Sequence, residues 1–280
     1  MEIVEKFNKE NPDVKVEMDI MPWAVFYQKL PPAIATKTAP SFVLMGNTDL
    51  EYYAMVQGVL QDLNDIWSTT NLKENDFSQA VLDLYKYDEK YYGIPMQYNL
   101  IYLYWNKDMF SNAGLNPEEP PRTWEESEAF AVKLTDSSKN QFGFGMPVKT
   151  APEWWATLIW GNGGEILDPI ERKSLLNTPQ NVESMEFLQN LAVEKQVTPL
   201  GATGPEIDNL LIGGKGLAMY INGPWLINGL KQNNINFGIA ACPKGTVRQQ
   251  MPLQGTAFAI PVSTTPEEKM AAYKFIEYWN

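Results

Sequence analysis

Apolar residues in the first fifth of this chain switch between two periods, and that switch narrows the fold more than any other feature. Val14, Val16, Met18 and Ile20 alternate with polar neighbours, the period-two signature of a half-buried strand. Phe26, Leu30 and Ile34 follow at helical spacing, in a helix that Pro31-Pro32 is expected to interrupt. Phe42-Val43-Leu44-Met45 is an unbroken apolar run, as in a strand buried on both faces. A second helical pattern begins after Gly46-Asn47-Thr48-Asp49. Strand and helix in this order imply an α/β fold with parallel-rich sheets covered by helices.

The theme continues along the chain. Ile101–Trp105, Phe142–Met146, Gly216–Ile221, Phe237–Ala241 and Ala257–Ile260 read as strands. Thr123-Trp124-Glu125-Glu126 and Thr265-Pro266-Glu267-Glu268 read as capping boxes, each opening a helix. Nothing resembles a flexible linker, so two lobes would be joined by extended crossing segments. The amphipathic helix at Met1–Asn11 and the one after Thr265 bring the sequence to its two ends within or beside a helix. The chain is therefore expected to be trimmed at both ends, with any signal segment outside it.

Composition excludes more than it selects. Lys+Arg number 22 against 34 Asp+Glu, a formal charge of −12, which repels phosphate backbones and anionic lipid. Nucleic acid is not an expected partner, and no apolar run approaches the roughly 18 residues of a membrane helix. The three arginines, Arg122, Arg172 and Arg248, are few for a phosphate clamp. Histidine is absent and Cys242 is the single cysteine, which removes an intrachain disulfide and every imidazole-dependent nucleophile. No metal or cofactor is expected. Tryptophan, at 9 residues with 13 Tyr and 12 Phe, is the positive signal.

In open α/β sheets ligands bind beyond the carboxyl ends of strands. That rule selects Trp23, then Asn47 and Asp49, and then Gly223-Pro224-Trp225. Together these supply indole, amide and carboxylate. A flat ring meets the C–H face of a pyranose, while Asp and Asn exchange paired hydrogen bonds with vicinal hydroxyls. Asp49 also reads as a helix cap, and Trp225 as packing in a turn. Glu153-Trp154-Trp155 is a second candidate, of which one indole is expected to face a ligand. Tyr52-Tyr53 and Tyr91-Tyr92 read as structural pairs. Gly213-Gly214-Lys215-Gly216 lacks the spacing of a phosphate loop, and Asp62, Asn64 and Asp65 read as a polar turn.

Several stretches resemble landmarks of family 1 extracellular solute-binding proteins of ABC importers, the group of maltose- and multiple-sugar-binding proteins. They are Phe7-Asn8-Lys9-Glu10-Asn11-Pro12, Tyr92-Gly93-Ile94-Pro95, Tyr104-Trp105-Asn106-Lys107-Asp108-Met109-Phe110, Pro121-Arg122-Thr123-Trp124-Glu125-Glu126, Gly214-Lys215-Gly216-Leu217-Ala218-Met219 and Asn222-Gly223-Pro224-Trp225. The resemblance covers the chain in order. It implies a two-lobed periplasmic-binding-protein fold of type II that hinges shut on its ligand. Residues 1–100 with 243–280 would form the first lobe and 101–242 the second. By position, Asp49 matches a cleft aspartate and Trp225 a stacking tryptophan. Asn99, beside Tyr98, falls where relatives have a cleft glutamate, and Gln254-Gly255 falls in a return loop that touches ligand. Glu153 and Trp154 lie near an aromatic segment of the second lobe.

The implied function is capture of a carbohydrate, an oligosaccharide in the first instance, by a monomer that presents it to the transmembrane subunits of an ABC permease. The location implied is extracytoplasmic, in the periplasm or as a surface lipoprotein. Alternatives are the same fold holding glycerol phosphate, a polyamine or a ferric ion, a ligand-reporting subunit serving a sensor kinase, and a glycoside hydrolase using Asp49 and Glu153.

Overall fold

The computed structural model describes residues 2–147, 152–168, 171 and 173–280, the side chains of 152–154 excepted. Their contacts divide the chain into two compact units, Met1–Tyr98 with Gln254–Asn280, and Asn99–Leu253. Both crossings lie in or beside strands.

In the first unit, helix α1 (Glu2–Glu10) buries Val4 and Phe7. Helix α2 (Trp23–Ala35) runs straight through Pro31 and Pro32, contrary to the expected break. Strand β1 (Val43–Gly46) leads directly into helix α3 (Asn47–Glu51). Strand β2 (Ile94–Leu100) carries the chain out of the unit. Helix α3 starts at Gly46, an N-cap without a side chain, and passes into a wider π-type turn at Tyr52–Val56.

In the second unit come β3 (Tyr102–Asn106), α4 (Trp124–Leu134), β4 (Phe142–Gly145), α5 (Pro152–Gly161) and α6 (Pro179–Gln189). Then follow α7 (Gly204–Ile212), β5 (Leu217–Asn222), α8 (Leu226–Gln232) and β6 (Phe237–Ala240). The chain returns through β7 (Leu253–Ala259) and closes on α9 (Pro266–Trp279).

The first unit holds a sheet in the order β1-β7-β2, and the second a sheet in the order β6-β3-β5-β4. Strand direction departs from the parallel-rich expectation. Pairs β1–β7, β6–β3 and β3–β5 are antiparallel, with Met45 opposite Ala257 and Trp105 opposite Met219. Only β4–β5 is parallel among the registers described for these two sheets. The α/β class stands: every residue of β5 is buried, as a central strand covered by helices must be. Helix α4 comes so close to β4 that a Cβ on Gly143 would stand 2.0 Å from the Ala131 carbonyl oxygen. Glycine is needed there for space.

The first unit's core joins Phe7, Phe42, Phe258 and Phe275, with Phe7 edge-on to Phe275 at 5.1 Å. The second unit's core is built on β5 and on Tyr104, Phe110, Trp124 and Leu211.

Three further expectations are corrected. Val14–Met18 keeps its alternating burial, but Ile20 is 71% exposed and the segment joins no described ladder. The Asn8 side chain stands in for a partner strand, accepting from the Val16 amide at 2.8 Å and donating to its carbonyl at 2.9 Å. Residues 99–100 and 243–253, expected in the first lobe, belong to the second unit. Lys244 donates to the Arg122 carbonyl, and Val247 to that of Gly161, which ties the segment to its own unit. Thr265 forms the full capping box, whereas at Thr123 the Glu126 carboxylate reaches one residue further back, to the Arg122 amide. A complete box appears instead at Thr203–Glu206.

Candidate functional site

The residues singled out in the sequence assemble as two separate groups, one per unit. In the first, Trp23 and Tyr27 lie one helical turn apart on α2, where side chains four residues apart meet. Their rings stack at 5.7 Å and 17°. Tyr27 stacks in turn on Tyr53 at 6.4 Å and 24°, so three aromatic rings form a series running inward from the surface. Trp23, at its outer end, is 51% exposed.

The inner end of the series is polar. The Tyr27 hydroxyl donates to the Asp49 carboxylate and accepts from the Gly46 amide at 3.4 Å. Burial first, then that hydrogen bond and the charge of Asp49, push the Tyr27 phenol well above the ordinary tyrosine range. Tyr53 rises too, through burial and then the same carboxylate. Asp49 therefore does not cap α3; it stands in the third position of that helix, half-buried, facing Tyr27.

Asn47 opens α3, and its Oδ1 accepts from the Gly255 amide at 3.1 Å, which pins the start of the helix to β7. Gly255 is buried against Tyr85: an added Cβ would stand 2.1 Å from the Tyr85 hydroxyl oxygen. That hydroxyl is itself buried without a hydrogen-bond partner among the described residues. Gln254 is half-buried beside it on β7. Tyr98 projects from β2, 57% exposed. Asn99, half-buried, is the first residue of the other unit.

A cavity of about 700 Å³ also lies in the first unit, walled by Val14, Val16, Met18, Phe42 and Leu44, with Trp23 at its edge. Of the expected site residues Trp23 alone lines it. The greater part of its wall is the unladdered Val14–Ile20 segment and the neighbouring stretch at β1.

In the second unit, Trp225 is the N-cap residue of α8 and is 46% exposed. Its six-membered ring rests on Gly223, where an added Cβ would meet three of its carbons at 2.0, 2.2 and 2.4 Å. Tyr104, from β3, donates to the Gly223 carbonyl at 3.0 Å. The side chains of Glu153 and Trp154, on α5, lie outside the described residues.

Sequence reasoning missed Tyr27 and Tyr53, which complete the aromatic series, and Asp208, Tyr220 and Asn222, which lie behind Trp225. Tyr27 was within reach, since it follows Trp23 at helical spacing. In sequence Tyr53 reads as half of a structural pair, and it also makes an edge contact with Tyr52 at 5.6 Å.

Both groups offer aromatic surface that remains partly open, next to amide, carboxylate and phenol groups. Such an arrangement suits a ligand with apolar faces and many hydroxyls. The sequence pattern of the bacterial extracellular solute-binding protein family matches residues 2–280. A binding protein of Brucella abortus is 28% identical over 284 residues, a match covering 99% of this chain and 67% of that one. The galactooligosaccharide-binding protein of Bacillus subtilis is 26% identical over 251 residues, covering 86% of this chain and 56% of its own. Among solved structures, an ABC substrate-binding protein of Listeria monocytogenes in complex with cycloalternan superposes with a TM-score of 0.88 at 28% identity. That match covers 99% of this chain and 71% of the other.

Proposed function

The chain belongs to the bacterial extracellular solute-binding protein family, and from that premise we propose that it captures a carbohydrate, an oligosaccharide in the first instance, and releases it unaltered to an ABC permease. Membership makes it a substrate-binding component of an ABC transporter. The sugar, the permease and the extracytoplasmic setting belong to the proposal.

One observation carries it: the half-exposed Trp23 indole stacks on Tyr27, and the Tyr27 hydroxyl ends on Asp49. An apolar ring face beside an anchored carboxylate is what a pyranose requires. The second unit presents a half-exposed indole of its own, Trp225. Micromolar affinity corresponds to about −8 kcal/mol, within reach of a few stacked rings and charge-assisted hydrogen bonds. Two relatives support the choice of ligand class, since one is named for galactooligosaccharides and the other was solved with cycloalternan.

A thermal-shift screen tests the reading. Mono- and oligosaccharides, glycerol 3-phosphate, spermidine and ferric citrate are each titrated against the protein. A saccharide is expected to raise the melting temperature with concentration. Trp23→Ala and Trp225→Ala are each expected to remove most of that shift while leaving the unliganded melting temperature within a few degrees of wild type. A shift with one of the other compounds and with no saccharide overturns the assignment.

A further inference from the structure

Behind Trp225 lies a polar network that none of the readings above requires. Asp208, on α7, is half-buried, and its carboxylate accepts from the Asn222 side-chain amide at 2.8 Å and from the Tyr220 hydroxyl. Asn222, the last residue of β5, is almost wholly buried and uses its other side-chain atom, Oδ1, to accept from the Gly223 amide at 2.8 Å. Tyr104 holds the Gly223 carbonyl from the opposite strand. Both backbone polar groups of Gly223 are thus fixed by side chains. The Trp225 ring rests on that same glycine.

We propose that Asp208 is a positioning residue for the Trp225 indole, acting through the Asn222 side chain and the Gly223 peptide. The inference rests on Trp225 being a ligand-stacking residue and adds what sets its orientation. The chain of contacts has a direction. Asn222 has one amide, and only when its NH2 is engaged by Asp208 does its oxygen face the Gly223 N–H. Without an acceptor at position 208 the amide is free to rotate, and the floor beneath the indole loses its tether. A supporting shell of this kind makes an aromatic anchor rigid before ligand arrives.

The choice of residue points the same way. A half-buried carboxylate is costly, and an asparagine at 208 would fill the same space without charge. Desolvation raises the Asp208 carboxyl to about 6, the bonds from Tyr220 and Asn222 opposing it. The titratable groups on the elements packed here are few, and β3 adds Tyr102, opposite Asn222, and Tyr104. Glu206 turns back to cap Thr203, Lys231 lies exposed in the last turn of α8, and Tyr220 contacts Asp208 directly. Protonation of Asp208 occupies one acceptor oxygen with a hydrogen, so the tether loosens as pH falls through about 6.

Fluorine NMR of protein labelled with 5-fluorotryptophan tests this without a ligand. Loss of one resonance in Trp225→Phe identifies Trp225. That resonance is expected to titrate with a midpoint near 6 in wild type and to stay fixed over the same range in Asp208→Asn. Circular dichroism confirms that both proteins are folded. A Trp225 resonance that ignores pH in wild type, or titrates identically in Asp208→Asn, overturns the proposal. In a second arm maltotriose is titrated calorimetrically, and Asp208→Ala is expected to bind about tenfold more weakly than wild type at neutral pH, with Asp208→Asn between them. Equal affinity in all three also overturns it. Wild-type protein that ignores maltotriose counts against the sugar reading, and the fluorine spectra then decide the positioning claim by themselves.

Discussion

Gly255 and Tyr85 define an interaction whose energy follows from geometry. A methyl group at 255 would stand 2.1 Å from the Tyr85 hydroxyl oxygen and 3.2 Å from its Cζ. Tyr85 is fully buried, so its ring is enclosed on all sides. The ring has little room to retreat. Gly255→Ala is therefore overpacking at a rigid wall and should cost about 2–3 kcal/mol. The hydroxyl has no partner among the described residues, so Tyr85→Phe should be neutral or stabilising by up to about 1 kcal/mol. With the oxygen gone, the methyl at 255 meets ring carbon at 3.2 Å and the Gln97 carbonyl oxygen at 3.4 Å. The double variant should return to within about 1 kcal/mol of wild type, a coupling of about 2 kcal/mol. Urea unfolding followed by circular dichroism measures all four corners of the cycle. A double variant as unstable as Gly255→Ala alone refutes the reasoning.

Two further outcomes follow from burial. The Asp208 carboxyl lies near 6 in the folded chain, above its ordinary range, so the native state binds the extra proton and stability falls as pH rises towards about 6. Asp208→Asn removes that penalty. Urea midpoints should show the variant more stable by about 1–2 kcal/mol above pH 6, after allowing for partial exposure, with the gain vanishing below about pH 4. A gain that grows on acidification contradicts this. Burial also pushes the Cys242 thiol up to about 12, and its sulfur sits 3.4 Å from the Ile101 carbonyl. It should ignore a disulfide reagent at pH 8 until denaturant is added, which a colorimetric thiol assay reads directly.

Much of the fold is legible in the sequence because local pattern and burial agree. Phe42–Met45 and Gly216–Ile221 are apolar on successive residues, and both become strands within one residue of their expected bounds. Thr265 and Glu268 announce a helix start that the structure keeps. Strand direction was not legible, since an apolar run looks the same whichever way its neighbour points. Val14–Ile20 alternates like a strand, yet Asn8 takes the bonds a neighbour would supply, and nothing local records that substitution. Pro31 and Pro32 cost α2 two amide donors without ending it. At the candidate site, strand ends located Asn47, Asp49 and Trp225. Tyr27 and Asp49 are 22 positions apart and Asp208 and Asn222 14, so the partnerships that orient those residues lie beyond any local periodicity.

The claim that matters most is that a sugar is held and left intact. Equilibrium dialysis against radiolabelled maltotriose and galactotriose, followed by mass spectrometry of the recovered ligand, measures both halves at once. Saturable one-to-one binding of at least one of them, with its mass unchanged after prolonged incubation, is the expected result. Absence of saturable binding to either, or recovery of cleaved sugar, contradicts it.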